Sequence, residues 1–227
     1  MKVSALIPIK GFANAKQRLS VLLSEPERAL LAETMLRDVL RQTLLARGLA
    51  STHVVTGDAR VREIASSFGA EVIVEEKERG ETEAVTFALA EMKRRGIQAA
   101  LIIPADIPLL RASDIELVLE QASKHDGLSP FALLVPSHDR MGTNALLLAP
   151  PDLIRLRFGY DSFSYHLNQV VAQELPLRVL ENERIALDID EPRDLERFMA
   201  SSDGAGESYS KVMEMRRAAD TRRAGGL

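Results

Sequence analysis

Residues 99–123 read AALIIPADIPLLRASDIELVLEQAS, and this stretch decides the fold class. Ala99 to Ile103 is a short apolar run with no polar face, as in a strand covered on both sides. PADIPLL then sets Asp106 in a proline-flanked loop, and Ser113 to Ser123 reads as a helix. Strand, carboxylate-bearing loop and helix in succession form the unit of a parallel α/β sheet.

Upstream the unit recurs. Val3 to Pro8 is a buried strand feeding a loop. Ser24 and Glu25-Pro26-Glu27 then start a helix reaching Ala46, with Leu30, Leu31, Met35, Leu36, Val39, Leu40 and Leu44 at helical spacing. His53 to Thr56 and Glu71 to Val74 are strands; Arg60 to Phe68 is a helix stopped by Gly69, and Glu83 to Arg95 a helix closed by Gly96. Downstream the rhythm changes. Ala132 to Pro136 and Ala145 to Ala149 are strands separated only by SHDRMGTN, which predicts an antiparallel portion of the sheet. Leu177 to Leu180 and Ile185 to Ile189 are two further strands, and EPRDLERFM is a helix beginning at Pro192. The expected architecture is one α/β domain over residues 1–200, a mixed, mostly parallel sheet with helices on both faces. Residues 201–227 are expected to be a poorly ordered tail or a short helix.

Composition narrows the function classes. A chain of 227 residues with 46% hydrophobic content can bury one substantial core. A formal charge of -4 opposes general nucleic-acid or anionic-membrane binding, while leaving room for a local basic pocket. Without cysteine there is no disulfide and no thiolate metal site. The opening MKVSALIPIKG is too short to span a membrane and lacks the pattern of a signal peptide, so a cytoplasmic protein is expected.

Ligands of parallel α/β sheets sit at the carboxyl ends of the strands, so the loops there are the candidate site. The loop PIKGFANAKQRL carries Lys10, Lys16 and Arg18, a charge set suited to a polyphosphate, and equally what a solvated basic loop contains. It is neither a P-loop nor a dinucleotide fingerprint. Asp106 is a candidate oxygen ligand for a hard cation; read alone, it also suits a turn or helix cap. Asp188 and Asp190, in the acidic DIDEP segment, should point to one side of a strand. One of them could join Asp106 on a metal, and Asp190 could cap the helix at Pro192. Gly142, Thr143 and Asn144, and then Gly159, Asp161 and Ser162, bring small donors that bind anions or simply build turns. His53, His125, His138 and His166 form no ligand pattern and read as isolated.

Taken in order, PIKGFANAKQRLS, PADIPLL, MGTNALLL, FGYDSFSYH and ALDIDEPRDL resemble the 2-phospho-L-lactate guanylyltransferase family, which serves biosynthesis of the deazaflavin coenzyme F-420. The resemblance spans nearly all of residues 1–200. It implies a Rossmann-like, MobA-like nucleotide-diphospho-sugar transferase fold, GTP as donor, magnesium or manganese as cofactor, and a homodimer. The implied acceptor is 2-phospho-L-lactate, with phosphoenolpyruvate and 3-phosphoglycerate as alternatives. It implies Lys10, Lys16, Arg18 and Asp106 as catalytic and nucleotide-binding residues, with Thr82 on the nucleotide side. It also implies Asp106 and Asp188 as metal ligands, and Thr143, Gly159 and Ser162 as acceptor contacts. One departure stands out: relatives often carry Leu-Asn before an Ala where this chain has Glu81-Thr82-Glu83-Ala84, so Thr82 replaces an amide. The rival expectations are a different nucleotidyltransferase on the same fold and a non-catalytic nucleotide-binding domain.

Overall fold

The computed structural model describes residues 2–77, 79–124, 130–201 and 203–224; His125 lies outside them. The strands are β1 (Val3–Pro8), β2 (Leu49–Thr56), β3 (Glu71–Val74), β4 (Ala99–Ile102), β5 (Phe131–Pro136), β6 (Thr143–Ala149) and β7 (Leu177–Val179). They form one sheet in the order β3-β2-β1-β4-β6-β5-β7. Pairing is parallel except along β6, which runs antiparallel to both β4 and β5. The short loop between β5 and β6 leaves no length for a crossover, so the chain must reverse there.

The helices are α1 (Glu25–Leu45), α2 (Ala59–Ser67), α3 (Glu81–Arg94), α4 (Ala112–Ser123), α5 (Ser162–Val171), α6 (Glu183–Ala186), α7 (Pro192–Ala200) and α8 (Glu207–Ala224), with a 3-10 turn at Gln17–Leu19. Strand alternation sorts the core into two layers. Leu101, Leu133 and Leu147 pack with Leu36 and Leu40 of α1, Ile64 of α2 and Val118 of α4. Their neighbours Ile102, Leu134, Leu146 and Leu148 face Leu89 and Met92 of α3 and Phe163 of α5 on the opposite side. A third cluster joins Leu31 and Met35 of α1 to Leu187, Ile189, Phe198 of α7 and Val212 of α8. Each fully buried side chain of this size contributes about 1.5–3 kcal/mol.

The helix starts follow from their sequences. Glu27 accepts both the backbone N–H and the hydroxyl of Ser24 at 2.8 and 2.7 Å, which caps α1 and leaves Pro26 where no donor is needed. Asp58 caps α2 by accepting the Val61 N–H at 2.9 Å.

Three expectations change. Ile185 to Ile189 is not a strand of the sheet. The side chain of Asn182 accepts the N–H groups of Arg184 and Ile185 and starts the short helix α6 instead. The extended residues beyond it make one backbone bond to the β4 loop, from Ile189 N–H to the Asp106 carbonyl at 3.0 Å. Asp190 is not the cap of α7; that position belongs to Glu191, and Asp194 accepts the N–H of both Asp190 and Glu191. Ser162 begins a ten-residue helix, α5, where the sequence suggested only a turn.

Residues 207–224 form α8, which lies on α1. Its start is tied to Asp38 of α1, whose carboxylate accepts the Glu207 N–H, the Ser208 N–H and the Ser208 hydroxyl at 3.0, 2.8 and 2.6 Å. Gly206 permits this approach: its φ is +102°, and a Cβ there would stand 2.7 Å from an Asp38 oxygen.

Candidate active site

At the carboxyl ends of β1 and β4 a cleft of about 400 Å³ opens, lined by Lys10, Gly11, Lys16, Glu81, Asp106 and Asp190 among others. β1 delivers the basic loop to it, β4 delivers Asp106, and the Ile189–Asp106 backbone bond brings in the acidic segment. Gly11 must be small: a Cβ would come within 2.7 Å of the Asp58 carboxylate that caps α2.

Lys16 is the centre of charge. Its ammonium lies 2.6 Å from Asp106 and 2.8 Å from Asp190, and its side chain is only 10% exposed. Burial works against that charge, but the two carboxylates outweigh it and hold Lys16 well above the ordinary lysine range. For Asp190 burial is likewise outweighed, by Lys16, and its carboxyl is held below the usual range.

The carboxylates without such a partner move the other way. Burial, then the nearby Asp106 charge, push Asp188 up to about 6, partly opposed by the Asn144 amide that donates to it at 2.9 Å. Glu81 is reached by solvent at the cleft mouth, yet protein crowds it on the other sides. That crowding, with Asp106 and Asp190, pushes its carboxyl to about 7 against the pull of Lys10 and Lys16. The acidic side chains in and beside the cleft therefore outnumber its two lysines, Lys10 and Lys16. Among the described residues, no three His, Cys, Asp or Glu form a ready-made metal cage. One or two carboxylates with open positions is the arrangement in which magnesium is bound together with substrate phosphates.

Of the residues expected on the nucleotide side, Lys10, Lys16 and Asp106 are brought together in the cleft. Arg18 stands in solvent beside it, 3.3 Å from Glu191. Thr82 does not line the cleft; its hydroxyl accepts the Phe158 N–H at 2.9 Å and ties the start of α3 to the loop before α5. Glu81, its neighbour, is the cleft residue that the sequence reading passed over. Its only sequence signal is its place at the first position of a helix after Gly80.

The three residues expected to contact an acceptor also converge. Because β6 is antiparallel to β4, its first residue, Thr143, lies at the same sheet end as Asp106. The Thr143 N–H donates to Ser162 Oγ at 3.0 Å, and the Ser162 N–H donates to the Gly159 carbonyl at 3.2 Å. Asn144, the next residue, carries the amide that holds Asp188. His166 is not isolated: its Nδ1 is 3.0 Å from Thr143 Oγ1, and its Nε2 accepts the Arg157 N–H at 3.1 Å. Burial, with a smaller contribution from Arg157, lowers His166 to about 4, so the ring is neutral near pH 7.

The chain is similar in fold and in sequence to known proteins. A chain from Desulfovibrio desulfuricans, described as a nucleotide-diphospho-sugar transferase, superposes with a TM-score of 0.76 at 19% identity, covering 96% of this chain and 98% of that one. The phosphoenolpyruvate guanylyltransferase of Rubrobacter xylanophilus is 38% identical over 88% of this chain and 95% of its own length. The 2-phospho-L-lactate guanylyltransferase of Methanothermobacter thermautotrophicus is 35% identical over 90% of this chain and 87% of its own. The family model for CofC-like guanylyl transferases matches residues 3–223, which takes in α8 as well as the sheet. With the family model and these relatives matching over nearly the whole length, the chain belongs to the CofC-like guanylyl transferase family.

Proposed function

We propose that this protein transfers GMP from GTP to a phosphorylated three-carbon acid in biosynthesis of the deazaflavin coenzyme. The observation that carries the reading is Lys16 held between Asp106 and Asp190 in the cleft, with the Thr143–Ser162–Gly159 group at the same end of the sheet.

The chemistry is an in-line displacement. A phosphate oxygen of the acceptor, already anionic at neutral pH, forms a bond to the α-phosphorus of GTP while the bond to pyrophosphate breaks. No protein base is required. The protein has to bring two anions together and stabilise charge on the leaving group. Lys10 and Lys16 supply positive charge to the triphosphate, and Arg18 adds to it from the solvent side. Asp106 and Asp188 fit a divalent ion such as magnesium: both offer hard oxygen ligands, and the nearby charge of Asp106 raises Asp188, so a cation between them would relieve that repulsion. When bound, the metal neutralises phosphate charge. Thr143, Gly159 and Ser162 hold the carboxylate and phosphate of the acceptor.

2-Phospho-L-lactate is the acceptor that the motifs favour. Phosphoenolpyruvate is the second reading, supported by the Rubrobacter relative. Pyrophosphate release from GTP, measured with 2-phospho-L-lactate, phosphoenolpyruvate and 3-phosphoglycerate in turn, tests the reading. Turnover with one of them is expected; no release with any, at saturating magnesium, would refute it. The reading includes a cytoplasmic homodimer, which sedimentation tests for its oligomeric part.

A further inference from the structure

His166 lies on α5 with 0% of its surface exposed, one helical turn after Ser162 and in contact with Thr143. Its ring is wedged edge-on between Phe158 and Tyr165, at centroid distances of 5.2 and 5.8 Å. Both nitrogens are committed. Nε2 is 3.1 Å from the Arg157 backbone nitrogen, and a backbone N–H can only donate, so Nε2 is the bare nitrogen of the ring. The ring proton is therefore on Nδ1, and the 3.0 Å contact to Thr143 Oγ1 is a donation by the histidine.

This assignment decides what the threonine hydroxyl does. Thr143 Oγ1 accepts from His166, so its own hydrogen cannot point back into the ring. Ser162 Oγ is committed in the same sense, since it accepts the Thr143 N–H at 3.0 Å. Among the described residues, neither hydroxyl hydrogen has an acceptor in the protein. Two neighbouring buried hydroxyls that accept from the protein and keep their hydrogens free are able to donate to an anion.

We propose that His166 is a positioning residue: through Nδ1 it fixes the Thr143 hydroxyl as a donor to an anionic oxygen of the acceptor substrate. This rests on the reading of Thr143, Gly159 and Ser162 as the acceptor subsite. The histidine touches no reacting atom and exchanges no proton during turnover.

Two substitutions separate its nitrogens. His166→Gln carries an amide to the Nε2 position and keeps the bond to Arg157 while removing the donor to Thr143. His166→Asn keeps an amide near Nδ1 and can still donate to Thr143. His166→Gln is expected to raise KM for the acceptor about tenfold or more, with KM for GTP unchanged. His166→Asn should recover most of that loss. In a Thr143→Val background, adding His166→Gln should cost nothing further, because the hydroxyl it orients is already gone.

Equal effects of the two His166 variants, a parallel rise in KM for GTP, or losses that multiply in the double variant would overturn the proposal and leave His166 a packing residue. If Thr143→Val itself leaves acceptor KM unchanged, the acceptor subsite is wrong and this inference falls with it. If Thr143→Val impairs the acceptor and His166→Gln does not, the inference alone falls. Nitrogen NMR of the wild-type imidazole gives a check that needs no folded variant: the Nδ1–H tautomer is expected, and an Nε2–H tautomer refutes the proposal.

Discussion

The Lys16 ammonium lies 2.6 Å from the Asp106 carboxylate, so the residue expected to hold the triphosphate is engaged with the residue expected to hold the metal. In this state the lysine shields acidic side chains that would otherwise repel one another. On the proposed function, a bound triphosphate would compete with these carboxylates for the lysine.

Lys16→Ala should therefore have two effects. GTP affinity should fall by roughly one to two orders of magnitude, the worth of one or two charge-assisted hydrogen bonds. The ligand-free protein should lose about 1 kcal/mol, a small value because Asp190 is about half exposed and water screens the pair. Magnesium should restore part of that stability. Calorimetry and thermal melting with and without magnesium measure these quantities; unchanged GTP affinity would remove Lys16 from the donor site.

Asp106→Asn and Asp188→Asn should each abolish pyrophosphate release while leaving the circular dichroism spectrum unchanged. Asn144 can hold an amide at position 188 about as well as a carboxylate, because its hydrogen bond goes to the Oδ1 that the substitution preserves. Near-normal turnover of either variant at limiting magnesium would refute the shared-metal assignment.

Ser162→Ala should reduce acceptor efficiency by an amount equivalent to about 1.5–3 kcal/mol, the range for a hydrogen bond to a charged group. GTP affinity should stay the same, since Ser162 belongs to the α5 side of the site and not to the basic loop. Steady-state kinetics with each substrate varied in turn separates the two outcomes.

The contribution of His166 to stability should fall as the solution is acidified from pH 6.5 toward 4, while Glu81 and Asp188, raised to about 7 and about 6, act in the opposite direction. His166 is held neutral by burial, with its folded pKa lowered from 6.5 to about 4. The unfolded chain thus takes up a proton first, and the stabilising difference, complete above about 6.5, is lost as pH falls through that window. Its size is on the order of 3 kcal/mol. His53, also lowered by burial, acts in the same direction. Urea unfolding at several pH values isolates this contribution: the stability of the wild type relative to His166→Gln should fall as pH drops from 6.5 toward 4, and a difference that does not change with pH would show that His166 does not titrate in this window.

Asp38→Ala should detach the start of α8. Three donors, the N–H groups of Glu207 and Ser208 and the Ser208 hydroxyl, lose their acceptor. A cost of about 1–3 kcal/mol is expected, with earlier proteolytic cleavage near residues 203–207. Resistance equal to the wild type would mean that the apolar contacts of Val212 and Tyr209 suffice to hold the helix.

The sequence by itself determined the alternation of strands and helices, the antiparallel turn at SHDRMGTN, and the loops at which Lys10, Lys16 and Asp106 would be found. Those features depend on local periodicity, capping and the length of connections, all of which act between near neighbours. The tertiary structure decided what depends on residues far apart. Ile185 to Ile189 has the apolar alternation of a strand, but the Asn182 cap and the single backbone bond to Asp106 make it a helix and an extended arm. The ion pairs of Lys16 join positions 90 and 174 residues apart, and neither local pattern nor composition contains them. His166 forms no motif in the chain because its partners lie 9 and 23 residues away on a loop and a strand that only folding brings to α5. The charge of each group in the cleft, and the direction in which each hydroxyl donates, follow from burial and long-range neighbours, which exist only once the chain has packed.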